Sequence, residues 1–127
     1  MLKKLLFGLV GFALVTVFFT ACTIRDASTI QVGPQVKRGQ STFLVDSISI
    51  KKGDSITLVD TAASPHIIAN GTWEGAKAVP MSEPGAPKIQ MSFSGNDSAK
   101  TPPFATAGTF KLYCTIHGGM NLNVTVQ

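Results

Sequence analysis

Two imidazoles, a thiolate and a thioether in this chain are of the types that bind copper. Cys114, His117 and Met120 lie within a seven-residue segment, and His66 lies upstream, directly behind Pro65. Together these groups are the ligand set of a mononuclear electron-transfer copper site. The chain has 2 His and 2 Cys, so the set uses both histidines and one of the cysteines. The sequence therefore predicts a copper site formed by His66, Cys114, His117 and Met120.

The mixture of soft and borderline donors suits a metal ion that changes its charge by one. Cu(I) prefers sulfur and Cu(II) accepts imidazole well, so two histidines and a cysteine with a weak axial methionine serve both states. Zinc would bind such a set but has no redox chemistry. Met81 and Met91 are alternative axial ligands. Met91 fits the inward face of a strand and Met81 lies in a loop, so we favour Met120.

The N-terminus has the pattern of an export signal. Lys3 and Lys4 precede an apolar stretch over residues 5–19, and the small residues Thr20 and Ala21 precede Cys22. We predict a lipoprotein-type signal peptide over residues 1–21, with Cys22 as the lipidated first residue of the mature protein. The alternative is an uncleaved membrane anchor, although the apolar run is shorter than the roughly 20 residues that span a bilayer.

Both interpretations place the protein outside the cytoplasm. We expect it to be exported and membrane-anchored, in the periplasm or on the outer face of the cell membrane. Paired cysteines in such a compartment usually form a disulfide. With Cys22 held at the membrane, Cys114 has no partner, and metal ligation explains it better than the alternative of an inert buried thiol.

Charge and composition exclude some functions and divide the chain. The net charge is +4, and Lys3 and Lys4 supply two of these positive charges. The remaining excess is small and scattered, so we expect no nucleic-acid partner. Residues 22–40 are polar and irregular and are interpreted as a flexible tether. Residues 41–127 form one small domain, which we expect to be a monomer.

Repeated two-residue alternation predicts an all-β fold. Apolar side chains alternate with polar ones in five short runs, separated by Gly, Pro, Asn and Asp: Ile48 and Ile50; Ile56 and Leu58; Ile89, Met91 and Phe93; Phe110, Leu112 and Cys114; Leu122, Val124 and Val126. Half-buried strands of this kind indicate an antiparallel β-sandwich. Cys114 continues the inward face of its strand, whereas Tyr113 points away from it. Residues 74–87 are expected to form a long surface connection.

The ligand motif resembles that of the small blue copper proteins, or cupredoxins, of the plastocyanin and amicyanin type. The spacing of Cys114, His117 and Met120 is similar to the short amicyanin ligand loop, and Pro65-His66 matches the segment with the upstream histidine. Residues 49–56 resemble the hairpin that precedes that histidine, and residues 108–114 resemble the strand that enters the site. The resemblance covers residues 41–127. It implies a Greek-key β-sandwich that carries single electrons through a type 1 copper ion and is not an enzyme.

The resemblance also implies how partners dock. The edge of His117 would reach the surface, framed by a small apolar patch of Pro65, Ile116, Gly118 and Gly119 that suits transient redox partners. Tyr113 matches a position that can serve a second electron route, although an ordinary outward tyrosine explains it equally well. In many of these proteins an asparagine after the first histidine ties the ligand loops together. Here Ile67 occupies that position, and Ser64 or Thr115 are the candidates to replace the tie.

Three other functions compete with electron transfer. A copper enzyme of the nitrite reductase or multicopper oxidase type needs a second copper centre with further histidines, and a binuclear centre needs a second cysteine in the loop. The sequence has neither. A periplasmic copper chaperone would need exposed, exchangeable ligands, whereas Cys114 is predicted to be buried. A metal-free sandwich would not explain why the four ligand residues occur together.

Overall fold

The computed structural model describes residues 33–127, and this part of the chain is built from short β-strands. In chain order they are β1 (Gln35–Arg38), β2 (Ser47–Ile50), β3 (Thr57–Asp60), β4 (His66–Glu74), β5 (Lys77–Pro80), β6 (Gln90–Phe93), β7 (Ser98–Lys100), β8 (Gly108–Cys114) and β9 (Asn121–Val126). The all-β prediction is confirmed. No helix within residues 33–127 is long and apolar enough to cross a membrane.

The strands form two sheets with one core between them. The smaller sheet has the order β1-β3-β7, and the larger has the order β2-β9-β8-β4-β5, with β6 also paired to β4. The predicted alternation is clearest on β9, where Leu122, Val124 and Val126 are at most 3 % exposed. They pack in one cluster with Val36 and Leu58 of the smaller sheet. Burial of these side chains from both sheets holds the sandwich together.

Two strand pairs within the predicted sandwich are parallel. β1 pairs with β3 and β2 pairs with β9 in parallel, whereas the remaining pairs are antiparallel. Parallel neighbours need a crossover connection. The chain provides one because β2, which lies between β1 and β3 in sequence, belongs to the other sheet.

The turn after β2 is a corner between the sheets and not the hairpin that the sequence suggested. The Asp54 amide donates to the Lys51 carbonyl, and the Lys51 amide donates to Oδ2 of Asp54, both at 3.0 Å. β2 then leaves for β9, and β3 pairs with β1. Alternation shows that two strands flank a turn, but it does not show that they pair with each other.

The folded domain begins before residue 41, which corrects the predicted tether. β1 lies inside the range 22–40, with Val36 1 % and Arg38 0 % exposed. The polar residues Gln35 and Lys37 alternate with these two buried positions, and because Arg38 is charged the sequence shows only one apolar residue in this strand. Residues 22–32 of the predicted tether, which include Cys22, and the signal segment 1–21 lie outside the described residues.

Residues 74–87 contain a strand as well as loop. β5 pairs antiparallel with the end of β4, from Gly71 opposite Pro80 to Glu74 opposite Lys77. Gly75 turns the chain between them with a φ of 60°. The expected surface connection is therefore partly an extension of the larger sheet. The strand before it, β4, is longer than the sequence indicates. The Asn70-Gly71 pair usually marks a turn, but here it lies inside the strand.

Candidate metal centre

Cys114 ends β8 with its side chain in the core. Phe110, Leu112 and Cys114 are all buried, and Cys114 is 0 % exposed, which confirms the predicted inward register. Within the described residues its thiol is free of any disulfide. The strand's two-residue period thus places a sulfur atom at the end of the hydrophobic core, where water is excluded.

His66 begins β4 and is buried opposite Phe93 of β6. Its Nε2 atom lies 3.1 Å from the carbonyl oxygen of Gly39. A carbonyl oxygen only accepts hydrogen bonds, so Nε2 carries the proton. The lone pair is therefore on Nδ1, which is buried and has no hydrogen-bond partner among the described residues. A buried acceptor without a partner is costly unless something else binds it.

The loop after Cys114 brings His117 to the same place. Nδ1 of His117 lies 3.4 Å from Sγ of Cys114, and the rings of His66 and His117 have centroids 4.7 Å apart. The ligand atoms of His66, Cys114 and His117 all lie within 4.8 Å of one another. Backbone hydrogen bonds close the loop, because the Cys114 amide donates to the Met120 carbonyl at 3.0 Å.

The fourth predicted ligand is buried next to these residues in sequence. Met120 is 1 % exposed and is held by its amide, which donates to the His117 carbonyl at 3.3 Å. The two alternatives have other environments. Met81 is 39 % exposed, and Met91 is a partly buried side chain packed against the core cluster. The structure therefore favours Met120 over both as the thioether of this site.

The residues present fit a copper ion. An imidazole with an unpartnered nitrogen, a free buried thiol and a second imidazole have ligand atoms within 4.8 Å of one another, and the buried thioether of Met120 follows three residues after His117. This combination of donors suits copper in both of its oxidation states. His66, Cys114, His117 and Met120 form a cluster consistent with a type 1 copper site.

Comparison with known proteins agrees with this geometry. Residues 30–127 match the family described as copper binding proteins, plastocyanin/azurin family. The match covers well over half of the chain, including both sheets and all four candidate ligands. The chain belongs to the plastocyanin/azurin family. Its members are small electron carriers and not enzymes. The family and the non-enzymatic class that the sequence predicted are therefore both confirmed.

Solved structures show the same fold at low sequence identity. A reduced amicyanin mutant is 18 % identical, with a TM-score of 0.58 over 76 % of this chain and 84 % of that one. Amicyanin from Paracoccus versutus is 20 % identical, with a TM-score of 0.56 over 75 % of this chain and 81 % of that one. A purple cupredoxin from Nitrosopumilus maritimus is 17 % identical, with a TM-score of 0.57 over 74 % and 99 %.

A backbone hydrogen bond ties the two ligand segments of this cupredoxin together. The Thr115 amide donates to the Ile67 carbonyl at 2.8 Å. Thr115 follows the cysteine ligand candidate and Ile67 follows the histidine candidate, so this contact joins the two ends of the site. Thr115 was one of the two residues expected to supply the tie. The contact is made by the main chain of Thr115 and not by its side chain.

Sequence reasoning missed the side chains on the outer side of Cys114. The Trp73 indole Nε1 donates to the Cys114 carbonyl at 2.8 Å, and its ring packs edge-on against Tyr113. Asn121 bonds both the amide and the carbonyl of Trp73. Tyr113 does leave the core face, as predicted, but it is only 3 % exposed. The β4–β8 pairing ends at Asn70 opposite Leu112, and Trp73 follows Gly71, whose φ is 137°. The strand pattern alone therefore does not place Trp73 against Cys114.

Charged side chains behind His66 were also missed. Arg38 and Asp60 are buried, and Oδ2 of Asp60 lies 3.9 Å from Nε2 of His66. Burial lowers the pKa of His66 from its usual value, and the charges of Arg38 and His117 add to this, while Asp60 and the Gly39 carbonyl oppose it. Burial also lowers the pKa of Arg38. A lowered His66 pKa keeps the imidazole neutral, so Nδ1 remains available to a metal.

Proposed function

We propose that this cupredoxin carries single electrons between redox partners, with copper held by His66, Cys114, His117 and Met120. The observation that carries the proposal is the buried, unpartnered Nδ1 of His66, in a histidine that has a ring nitrogen within 4.8 Å of the Cys114 and His117 ligand atoms. It is a coordination position that the fold forms in advance. When bound, copper supplies one-electron chemistry by alternating between Cu(I) and Cu(II).

The protein contributes rigidity and protection to this site. His66 and Cys114 lie on adjacent paired strands, with Ile68 opposite Cys114 in the register of β4 and β8. The Thr115–Ile67 hydrogen bond extends that pairing past the strand end. Ligands fixed in this way move little when the charge of the site changes, which favours rapid electron transfer. Burial of Cys114 keeps its sulfur from water and oxidants.

His117 is the proposed exit for the electron. It is partly exposed, whereas His66, Cys114 and Met120 are buried. Pro65 and Gly118 are exposed near it, and Ile116 is 48 % exposed. A small apolar surface around a partly exposed ligand supports brief docking of redox proteins. The burial of the other three ligands favours retention of copper over its delivery as a chaperone.

We also propose that the domain is exported and tethered to a membrane through Cys22 or through an uncleaved anchor over residues 1–21. The basic start, the apolar run and the Ala21-Cys22 pair support this. The family match begins at residue 30, so Cys22 lies outside the matched residues. The expected location is the periplasm or the outer face of the cell membrane.

Copper titration of the full chain in detergent tests the proposed function. We expect one Cu(II) per chain, an intense visible thiolate-to-copper absorption and a narrow copper hyperfine splitting in the EPR spectrum. Cys114→Ser should abolish the colour and retain the β-rich circular dichroism, because only the sulfur is replaced. Cys22→Ser is the matched control and should keep the full colour. Colour that survives in Cys114→Ser, or is absent in the parent, contradicts the proposal.

A further inference from the structure

A guanidinium group is buried behind the candidate copper ligand His66, and it makes no hydrogen bond to any of the described residues. Arg38 is 0 % exposed, and its guanidinium carbon lies 3.4 Å from the ring centroid of Phe93. Nε lies 3.6 Å from Oδ2 of Asp60, and Nη2 lies 4.0 Å from Oδ1 of Asp97. None of its three nitrogens has a hydrogen-bond partner among the described residues.

This group adjoins His66 on several sides. Arg38 and Asp60 are opposite each other in the register of β1 and β3, and Asp60 approaches Nε2 of His66 to 3.9 Å. Phe93, on which the guanidinium stacks, is the register partner of His66. Gly39, which follows Arg38 in the chain, supplies the carbonyl that accepts the Nε2 hydrogen bond. Arg38, Asp60 and His66 therefore form one contiguous buried cluster.

Stability does not explain the arrangement. A guanidinium removed from water without hydrogen bonds loses its hydration and regains only part of it from carboxylates at 3.6 and 4.0 Å. An apolar side chain of similar volume at such a position is often neutral or stabilising. The charge, in contrast, has a direct effect beside a redox centre. A nearby positive charge disfavours the oxidised state, which carries one more positive charge than the reduced state.

We propose that Arg38 is a positioning residue that sets the redox balance of the copper site by neutralising Asp60 and holding that carboxylate away from the Nε2 proton of His66. This rests on the proposed function, namely that His66 binds copper through Nδ1. A carboxylate hydrogen-bonded to the outer nitrogen of a metal-bound histidine makes the ligand more basic and stabilises the higher oxidation state. With Arg38 in place, Nε2 donates to the neutral Gly39 carbonyl at 3.1 Å.

The two buried charges must therefore shift the equilibrium in opposite directions. Loss of Arg38 removes a positive charge and frees Asp60 to accept the His66 proton, and both effects favour Cu(II). Loss of the Asp60 charge removes the competing acceptor and favours Cu(I). Asp97 is the natural comparison, since its Oδ1 atom is buried towards Arg38 but its side chain is 41 % exposed, so solvent screens part of its charge.

Reduction potentials of the copper-loaded full chain in detergent test this inference. We expect Arg38→Met to shift the Cu(I)/Cu(II) equilibrium on the order of tenfold toward Cu(II), a potential about 59 mV lower for a one-electron couple. Asp60→Asn should raise the potential, and Asp97→Asn should change it by a much smaller amount. Arg38→Lys, which keeps the charge, should remain nearer the parent than Arg38→Met.

A variant that removes both buried charges keeps the test decisive if Arg38→Met does not fold. Arg38→Met/Asp60→Asn contains no unpaired buried charge, and its potential should lie below that of Asp60→Asn. Equal potentials for these two proteins, or for the parent and Asp60→Asn, would overturn the inference. A parent protein without type 1 copper spectra would instead overturn the proposed function.

A second readout needs no copper. In the metal-free protein, the ring N–H proton of His66 reports its acceptor by NMR. We expect that proton to move downfield in Arg38→Met, where the stronger carboxylate acceptor replaces the carbonyl, and to return in the double variant. A proton that stays at the parent position in Arg38→Met contradicts the positioning role.

Discussion

At the scale of single residues, the two ring nitrogens of His66 have different roles. Nε2 donates to the Gly39 carbonyl, and this hydrogen bond fixes the tautomer that leaves the Nδ1 lone pair free. Burial lowers the pKa of the ring below its usual value of 6.5, so no proton competes for Nδ1 near neutral pH. The environment that prepares His66 for copper therefore makes its protonated form unfavourable in the folded protein.

The metal-free protein should consequently lose stability in mild acid. The folded-state pKa of His66 lies below 6.5, so between those two pH values the unfolded chain binds a proton that the folded chain does not. Stability should fall as the pH decreases below about 6.5, by at most about 1.4 kcal/mol per pH unit, with no contribution from His66 above that pH. Urea unfolding at several pH values measures the slope.

Two controls isolate His66 in that measurement. His66→Asn should flatten the slope, because the titrating ring is gone. Bound copper should instead extend the slope to lower pH, because the metal keeps Nδ1 unprotonated in the folded chain while the unfolded chain still takes up the proton. A slope that persists unchanged in His66→Asn would assign the acid sensitivity to another group.

The ligand residues were predictable from the sequence, whereas their surroundings were not. The four candidate ligands carry their chemistry in their residue types, and Cys114, His117 and Met120 are close in sequence. Arg38 and Asp60 are ordinary charged residues until β1 and β3 pair and place them behind His66. Nothing in the local sequence distinguishes a buried arginine from a solvated one.

At the scale of secondary structure, β4 connects the site to the rest of the larger sheet. It starts at His66, pairs with β6 and β8 along its first half and with β5 along its second. The sequence has clear strand signals for β8 and β9 because their apolar residues alternate without interruption. It concealed the length of β4, since Asn70 and Gly71 are usual turn residues and here continue a strand.

Gly71 is the position at which β4 has no room for a side chain. Its φ is +137°, and a Cβ there would lie 2.5 Å from the Val79 carbonyl oxygen and 2.7 Å from the Tyr113 ring. Both neighbours are held by strands, so they cannot move away easily. We expect Gly71→Ala to destabilise the protein by about 2–4 kcal/mol from strain and overpacking, measured by urea unfolding of the metal-free chain.

Gly75→Ala is the matched control for this substitution. Gly75 also has a positive φ, of +60°, but a Cβ there would meet no atom within 4 Å. Its cost should be only the left-handed backbone penalty of about 1–2 kcal/mol. Equal losses for the two variants would show that the contacts with β5 and Tyr113 do not matter.

At the scale of the whole domain, the topology gathers the chemistry at one set of strand ends. β4 begins at His66, while the antiparallel β8 and β6 end at Cys114 and Phe93. β1 and β3 run parallel and end opposite each other at Arg38 and Asp60. A purely antiparallel arrangement of these two strands would separate those residues. The parallel crossover, which alternation does not reveal, is therefore what creates the charged cluster behind the copper site.

The proposed tether concerns the whole chain and is tested by expression in bacteria. We expect the protein to fractionate with membranes and its N-terminal residue to be Cys22, with a lipid-sized mass addition. Cys22→Ser should block both cleavage and lipid attachment, whereas Cys114→Ser should leave fractionation unchanged.

An uncleaved anchor would instead give a membrane-bound chain of full mass that is insensitive to Cys22→Ser. A soluble, unmodified protein would contradict both forms of the tether. It would leave the copper site intact, because the domain that forms the site lies wholly within residues 33–127.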